Sequence, residues 1–310
     1  MDTPPLSIVV CACSMKRYAD LVDLLSSIKA QTFKNFETVL VIDGNKELHD
    51  KIKDYLSLNS VQNTKLILNP EQRGLSHCRN TGIMNASGEI IAFVDDDAVL
   101  YLGWAGAVIN SFDLEQIGGA SGEIEPAWES QEMTWFPREL HWLISCSYIM
   151  TPTVKQEVER GFGTNMAFRR TALLESGMFD TSLGVVAGKK WVGGEDTLMF
   201  LNVRKAGKTV IFNPEMRIKH KIYKDRLKLK NIIKRAYGGG YSVALLKKQE
   251  RYKVTNSTEN TYLKKLLFEF YPQKLKELIK KPRVITRQMG AVSVVIVSEG
   301  MGYIHGFLIG

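Results

Sequence analysis

The first hundred residues alternate two hydrophobic periods, and that alternation limits the possible folds more than any other feature. Leu6-Ser7-Ile8-Val9-Val10 is an apolar, β-branched run of strand length. From Tyr18 to Ala30, Leu21, Leu24, Leu25 and Ile28 recur at helical spacing. A second strand is expected over 37–42, a polar helix near 46–57, a third strand over 65–68 and a helix over 74–86. Residues 89–94 form the next strand run, which meets Asp95-Asp96-Asp97 directly. Strands alternating with helices predict a mostly parallel sheet with helices on both faces. Ligands of such sheets bind beyond the carboxyl ends of the strands, where Asp43 and Asp95–Asp97 fall.

With 310 residues, 45% of them hydrophobic and 24% charged, the chain can bury a large core and is not disordered, collagen-like or of low complexity. Its four cysteines, at 11, 13, 78 and 146, make neither a disulfide framework nor a paired CxxC zinc site. Cys11 and Cys13 read as core or wall residues of a reduced, cytosolic protein. The start, MDTPPLSIVV, has no basic segment followed by an apolar one, so no cleaved secretory signal is expected. Neither GxGxxG nor GxxxxGK[ST] is present.

The net charge of +8 is unevenly placed. Residues 221–310 hold 19 Lys and Arg against six Asp and Glu, whereas residues 1–220 hold 22 against 27. A basic tail suits an anionic membrane surface or a nucleic acid. Leu229, Ile232, Ile233, Ala236 and Tyr237 form the apolar stripe of a basic amphipathic helix. Gly238-Gly239-Gly240 interrupts it, and a bend or a close packing contact is expected there. A second helix over 259–270 is limited by Pro272. Residues 288–310 are apolar apart from Glu299 and His305; the acid and five glycines argue for an interfacial or re-entrant segment rather than a full span. The division expected is 1–222 and 223–310. Trp128, Trp135, Phe136, Pro137 and Trp142 read as core, with sugar stacking as the other reading. Strands are also expected at 165–169, 209–212 and 215–220, and a helix over 195–206.

Three clusters can carry chemistry. Three carboxylates in a row repel one another unless a divalent cation such as Mg2+ or Mn2+ neutralises them. Arg73 and Arg79 frame the start of the 74–86 helix, an arrangement suited to anions. Glu195 and Asp196 follow Gly193-Gly194 and open a helix, where acids either cap or act as a base. His220 ends a strand and joins a metal site only if that strand returns to the acidic turn.

SIVVCACSMKRY, VIDG, NPEQRGLSHCRNTG, FVDDDA, NMAFRR, GGEDTLMFLNVRKAG and His220, in this order, resemble glycosyltransferase family 2. The resemblance implies a GT-A fold, inverting transfer from a nucleotide-sugar, and a need for Mg2+ or Mn2+. It assigns Asp43 to the nucleobase, Arg73 to the base or diphosphate, Asp95 to the ribose side, Asp97 to the metal, Asp196 to the catalytic base and His220 to the metal or phosphate. Arg79 and Asp96 are expected beside the donor, and Asn165, Glu195 and Trp191 beside the acceptor or sugar. Gly163, Thr164, Lys189 and Lys190 are further candidates near the sugar. The family's Pro-Thr-aromatic after the first strand is replaced by Cys11-Ala12-Cys13, so base stacking from that loop is not available.

WFPRELHWLISC and GMGYIHG resemble a narrower group in that family, archaeal glucosyl-dolichyl-phosphate glucuronosyltransferases. That resemblance implies a UDP-sugar, UDP-glucuronate, as donor. It also implies a dolichyl-phosphate glycan as acceptor and peripheral attachment to the cytoplasmic face of the membrane. A dolichyl-phosphate sugar synthase or a polysaccharide-building enzyme of the same family is the alternative; a synthase acts on an anion and needs no base. A nucleotidyltransferase would want a glycine-rich basic loop after the first strand. A nucleic-acid binder would want regularly spaced aromatics in the tail, which are lacking, so no nucleic acid is expected as partner.

Overall fold

The computed structural model describes residues 4–61, 63–183, 193–248 and 257–309. The described residues fall into two compact units, 1–126 with 152–221, and 127–151 with 222–310. The segment 127–151 thus groups with the tail.

The first unit is built on a mixed sheet. β1 (Leu6–Ala12), β2 (Phe36–Asp43), β3 (Thr64–Asn69) and β4 (Ile90–Asp95) run parallel in the order β3-β2-β1-β4. They alternate with α1 (Tyr18–Lys29), α2 (Lys46–Leu58) and α3 (Leu75–Asn85). All eight residues of β2 are buried, as they must be in a strand covered on both faces. α1 buries Leu21, Leu24, Leu25 and Ile28, the stripe its spacing predicts. α2 opens where the Asn45 side chain accepts the Leu48 N–H at 2.9 Å.

Beyond β4 the sheet turns antiparallel. β8 (Asn165–Arg169) pairs antiparallel with both β4 and β6 (Ile117–Trp128). β9 (Thr209–Ile222) follows β6 in the sheet and pairs antiparallel with two short strands, β5 (Ala98–Leu100) and β7 (Gln156–Glu157). The expected strands at 209–212 and 215–220 are one strand. Pro214 cannot donate to a ladder, but Asn213 accepts the Glu215 N–H at 3.0 Å and carries the chain past it. α4 (Trp104–Ile109), α5 (Arg170–Glu175) and α6 (Glu195–Lys205) complete the unit. Phe93, Phe168, Phe179 and Phe200 form an aromatic centre, with Phe93 edge-on to Phe179 at 5.3 Å and Phe168 tilted on Phe200 at 4.9 Å.

The second unit contains α7 (Leu229–Lys248), α8 (Ser257–Lys265), α9 (Tyr271–Glu277) and α10 (Pro282–Ile309). The three glycines do not interrupt α7, and one of them, Gly240, admits another helix. A Cβ on Gly240 would lie 2.0 Å from the Glu299 carbonyl oxygen, and one on Gly302 2.0 Å from that of Tyr237. Ala236, Gly240 and Ala244 on α7 and Ser298, Gly302 and Gly306 on α10 are all buried. Such small residues let two helix backbones approach closely. Pro272 does not end a helix: α8 continues through a π-turn at Leu266–Phe270 into α9, with Pro272 in the turn that follows. The aromatic stretch is not wholly core: Phe136 is buried, while Trp128, Trp135 and Trp142 are half-buried.

Candidate functional site

The site lies at the carboxyl ends of β1, β2 and β4. Register explains why His220 reaches it. β5 follows the acidic turn and pairs with β9 so that Ala98 lies opposite His220. His220 Nε2 is 3.2 Å from Asp97 Oδ1, with both side chains buried. Ligand atoms of Asp95, Asp97 and His220 all lie within 4.8 Å of one another. Two carboxylates and one imidazole fit a hard divalent cation such as Mn2+ or Mg2+. Crowding supports that fit, because burial and the neighbouring Asp97 push the half-buried Asp96 carboxyl well above the usual range.

Arg17 joins the site as well, a role no local pattern assigns to it. Its guanidinium donates to Asp97 Oδ2 at 2.7 Å and to Asp20 Oδ2 at 3.3 Å. It sits in a single 3₁₀ turn at the end of the first stretch that carries the family resemblance, Ser7–Tyr18, without a role assigned to it there. The available signal was position: the turn follows β1 at the same strand ends as the aspartates.

Asp43 faces inward. Its carboxylate accepts the Gly74 N–H at 2.8 Å, the Arg73 N–H at 3.2 Å and the Asn69 amide at 3.2 Å. It therefore ties the end of β2 to the 69–74 loop. Arg73 carries its guanidinium outward, 54% exposed and 3.6 Å from Glu71. Cys13 is exposed rather than part of a wall.

Arg79 does not point at solvent as an anion receptor would. It is 3% exposed, with Nη1 donating to Glu195 Oε1 at 3.1 Å and Nη2 3.5 Å from Asp95 Oδ1. It ties the acidic turn to the start of α6. Glu195 is buried with it; loss of solvent and the adjacent Asp196 push its carboxyl up to about 7, against the pull of Arg79.

Gly194 begins α6 at φ 101°, a left-handed conformation that favours glycine. The Asp196 carboxylate is half-buried and oriented by two backbone donors, Gly163 N–H at 2.8 Å and Thr197 N–H at 2.7 Å. One residue on from Gly163, Thr164 Oγ1 donates to Asp95 Oδ2 at 2.9 Å. Residues 163–164 thus link Asp196 to the acidic turn.

Asn165 is not available to a sugar. It is fully buried, donates to the carbonyls of Met216 at 2.6 Å and Glu123 at 3.2 Å, and accepts from Trp104 Nε1 at 2.9 Å. From β8, its amide ties β6 and, beyond it, β9 into one sheet. Lys189, Lys190 and Trp191 lie outside the described residues.

The family model described as glycosyl transferase family 2 matches residues 7–177. A glucosyl-dolichyl phosphate glucuronosyltransferase of Haloferax volcanii is 30% identical over 305 residues, covering 98% of this chain and 96% of the relative. The succinoglycan biosynthesis protein ExoM of Rhizobium meliloti is 28% identical over 54% of this chain and 50% of its own. Among solved structures, the mannosyltransferase PcManGT from Pyrobaculum calidifontis, in complex with GDP-Man and Mn2+, superposes with a TM-score of 0.61 at 17% identity, covering 96% of this chain and 88% of that one. GalNAc-T7 with UDP, GalNAc and Mn2+ gives 0.57 at 16% identity over 84% of this chain and 54% of that one. The two structural likenesses show the GT-A fold. Agreement of the family model with a relative matched along nearly its whole length goes further: this chain is a glycosyltransferase and belongs to glycosyl transferase family 2.

Proposed function

We propose that this enzyme transfers a sugar from a nucleotide-sugar, with inversion, to a hydroxyl of a lipid-linked glycan at a membrane surface. One observation carries the reading: residues 163–164 connect an oriented carboxylate, Asp196, to a cation-ready cluster, Asp95, Asp97 and His220. That pairing provides for both halves of a direct displacement, a base for the incoming hydroxyl and charge compensation for the departing diphosphate.

In this reading Asp95, Asp97 and His220 hold Mg2+ or Mn2+, which when bound offsets charge on the leaving diphosphate. Arg17 adds a fixed positive charge on the same side. Arg73, carried on the loop that Asp43 holds, and Asp96 contact the donor. Asp196 accepts the proton of the attacking hydroxyl while its two backbone donors fix the direction of its lone pairs. The Arg79–Glu195 pair fixes the start of α6, and with it Asp196. A base is needed for a hydroxyl acceptor and superfluous for a phosphate, which favours transfer over dolichyl-phosphate sugar synthesis.

The Haloferax relative supports a glucuronate donor with glucosyl-dolichyl phosphate as acceptor. α10 supports attachment to a membrane. Among the described residues it is the one helix long and apolar enough to cross a bilayer. Its first half buries Ile285, Val292 and Val295 as a soluble helix would, but the polarity of its second half is inverted: Ser298, Gly302 and Gly306 are buried, whereas Val297, Met301, Ile304 and Phe307 are about 60% exposed.

The test is nucleoside diphosphate release by purified protein with Mn2+, screening UDP- and GDP-sugars with dispersed dolichyl-phosphate glucose. Acceptor-dependent release from UDP-glucuronate is expected. Asp196→Asn is expected to cut turnover at least about 10³-fold, at the upper part of the range for an acid–base group, while donor affinity changes less than about twofold. A variant that keeps near-normal turnover overturns the base assignment.

A further inference from the structure

One buried carboxylate of the first unit has no part in the chemistry above. Asp20 lies in the first turn of α1 and is only 4% exposed. Aspartate is seldom buried to that degree unless it is paired. Its two oxygens meet two different cations: Oδ2 accepts from Arg17 Nη1 at 3.3 Å, and Oδ1 is 3.0 Å from Lys221 Nζ. Lys221 lies on β9, 201 positions further along the chain.

Both cations also hold Asp97. The same Arg17 nitrogen donates to Asp97 Oδ2 at 2.7 Å, and the Lys221 main-chain N–H donates to the Asp97 carbonyl at 3.0 Å. Asp20 is thus one step removed from Asp97 along two routes, one through a side chain and one through the backbone. Asp23, exposed on the next turn of α1, shares the Lys221 ammonium. A capping role alone does not account for this. A cap accepts main-chain N–H groups of its own helix, whereas Asp20 is aimed at two side chains that converge on Asp97.

The charges give the arrangement a use. In the metal-free protein Arg17 neutralises Asp97 at close range. When a divalent cation occupies Asp97, that guanidinium faces a like charge. The Arg17 side chain is 27% exposed, so stripping it of a carboxylate there would carry a desolvation penalty opposing the cation. Asp20 removes the penalty, because it offers the same nitrogen a second carboxylate already within reach. Lys221 works against this by drawing on the other oxygen of Asp20.

We propose that Asp20 is a positioning residue for the cation cluster: it receives the Arg17 guanidinium when a divalent cation occupies Asp97, and its division between Arg17 and Lys221 sets how tightly that cation is held. The proposal rests on the reading of Asp97 as a cation ligand.

The test is electron paramagnetic resonance titration of the nucleotide-free full chain with Mn2+. Asp20→Asn and Lys221→Met are each measured with Arg17 intact and with Arg17→Ala. Asparagine keeps the shape of Asp20 but holds a guanidinium less well, so Asp20→Asn should weaken Mn2+ binding by about fivefold. Lys221→Met should act in the opposite direction and tighten binding by about twofold. In the Arg17→Ala background both shifts should shrink below about 1.5-fold, because they pass through a shared partner.

An Asp20 that merely anchors α1 to β9 would weaken Mn2+ binding equally with and without Arg17. So would an Asp20 that acts on the cation only through its own charge. Either result overturns the inference, as does wild-type affinity in both single variants. If Asp20→Asn does not fold, Lys221→Met decides alone, since its main chain keeps the bond to Asp97. Failure to tighten binding, or equal tightening without Arg17, then overturns the inference. Asp97→Ala separates this inference from the reading beneath it. If that variant binds Mn2+ as wild type does, the cation reading has failed and this inference with it. If it loses Mn2+ while Asp20→Asn has no effect, only this inference has failed.

Discussion

The two ends of the parallel strands use the same kind of side chain in opposite ways. At the amino ends a single buried carboxylate, Glu37 on β2, is saturated with donors: Ser7 Oγ and Ser87 Oγ at 2.6 Å, the Ser87 N–H, and the Lys65 ammonium at 2.8 Å. These partners outweigh the cost of burial and bring its carboxyl down to about 2. At the carboxyl ends three successive aspartates crowd together, and the Asp96 and Glu195 carboxyls are pushed up instead. One end has as many donors as its carboxylate can accept, and this makes it a lock. The other has more acids than its Arg17 and Arg79 neutralise, and this makes it receptive to an added cation. Stability and function occupy opposite ends of the same strands.

Three experiments would break or sharpen that contrast. The largest effect is expected from Asp97→Ala, which should slow nucleoside diphosphate release with Mn2+ by at least about 10²-fold, or roughly 3 kcal/mol. The melting temperature of this variant should fall less than that of a change at Glu37. If it unfolds more readily than the Glu37 variant, the acidic turn is structural and the contrast fails.

Glu37→Gln comes second. It should cost about 2 kcal/mol of stability at neutral pH, with catalysis at low temperature little changed. The sign follows from the lowered carboxyl. Glu37 stabilises the fold above its unfolded pKa of about 4.3, and the contribution disappears as pH falls toward about 2. Denaturant melts at pH 7 and pH 3 should therefore differ less for the variant than for the wild type. An unchanged difference would show that Glu37 is not the lock.

The smallest effect is expected from Arg17→Ala. Its guanidinium holds Asp97 Oδ2, so removing it should tighten Mn2+ binding to the nucleotide-free protein by about fivefold, or roughly 1 kcal/mol. Electron paramagnetic resonance titration of free Mn2+ reads this directly. Weaker binding would mean that Arg17 orders the site rather than competing for it.

The sequence disclosed the parallel half of the sheet well because its signals are local. A strand buried on both faces reads as an apolar run, and α1 shows its stripe within thirteen residues of its start. The antiparallel half was less legible. β5 has three residues and β7 two, too short for any period, and each is a strand only because β9 pairs with it. Among site residues, Asp97, His220 and Asp196 stand in informative runs. Arg17 stands in the first of those runs too, but nothing local marks it, because its importance comes from Asp97, 80 positions on, returning to it. Arg79 was found but its surroundings were not: a helical arginine looks the same in sequence whether it meets solvent or is sealed between Asp95 and Glu195. Gly238-Gly239-Gly240 allowed a bend or a contact, and only the facing backbone of α10 decides between them.

The pairing of Ala98 with His220 also orders events during synthesis. The acidic turn leaves the ribosome more than a hundred residues before the imidazole that joins it, and β5 has no described partner strand other than β9. Contacts of such sequence separation form late, after the chain has met the entropy of closing a long loop. A nascent chain that has folded its parallel strands therefore carries three aspartates without their histidine. Completion of the Asp95–Asp97–His220 cluster requires that β9, the last strand, has docked.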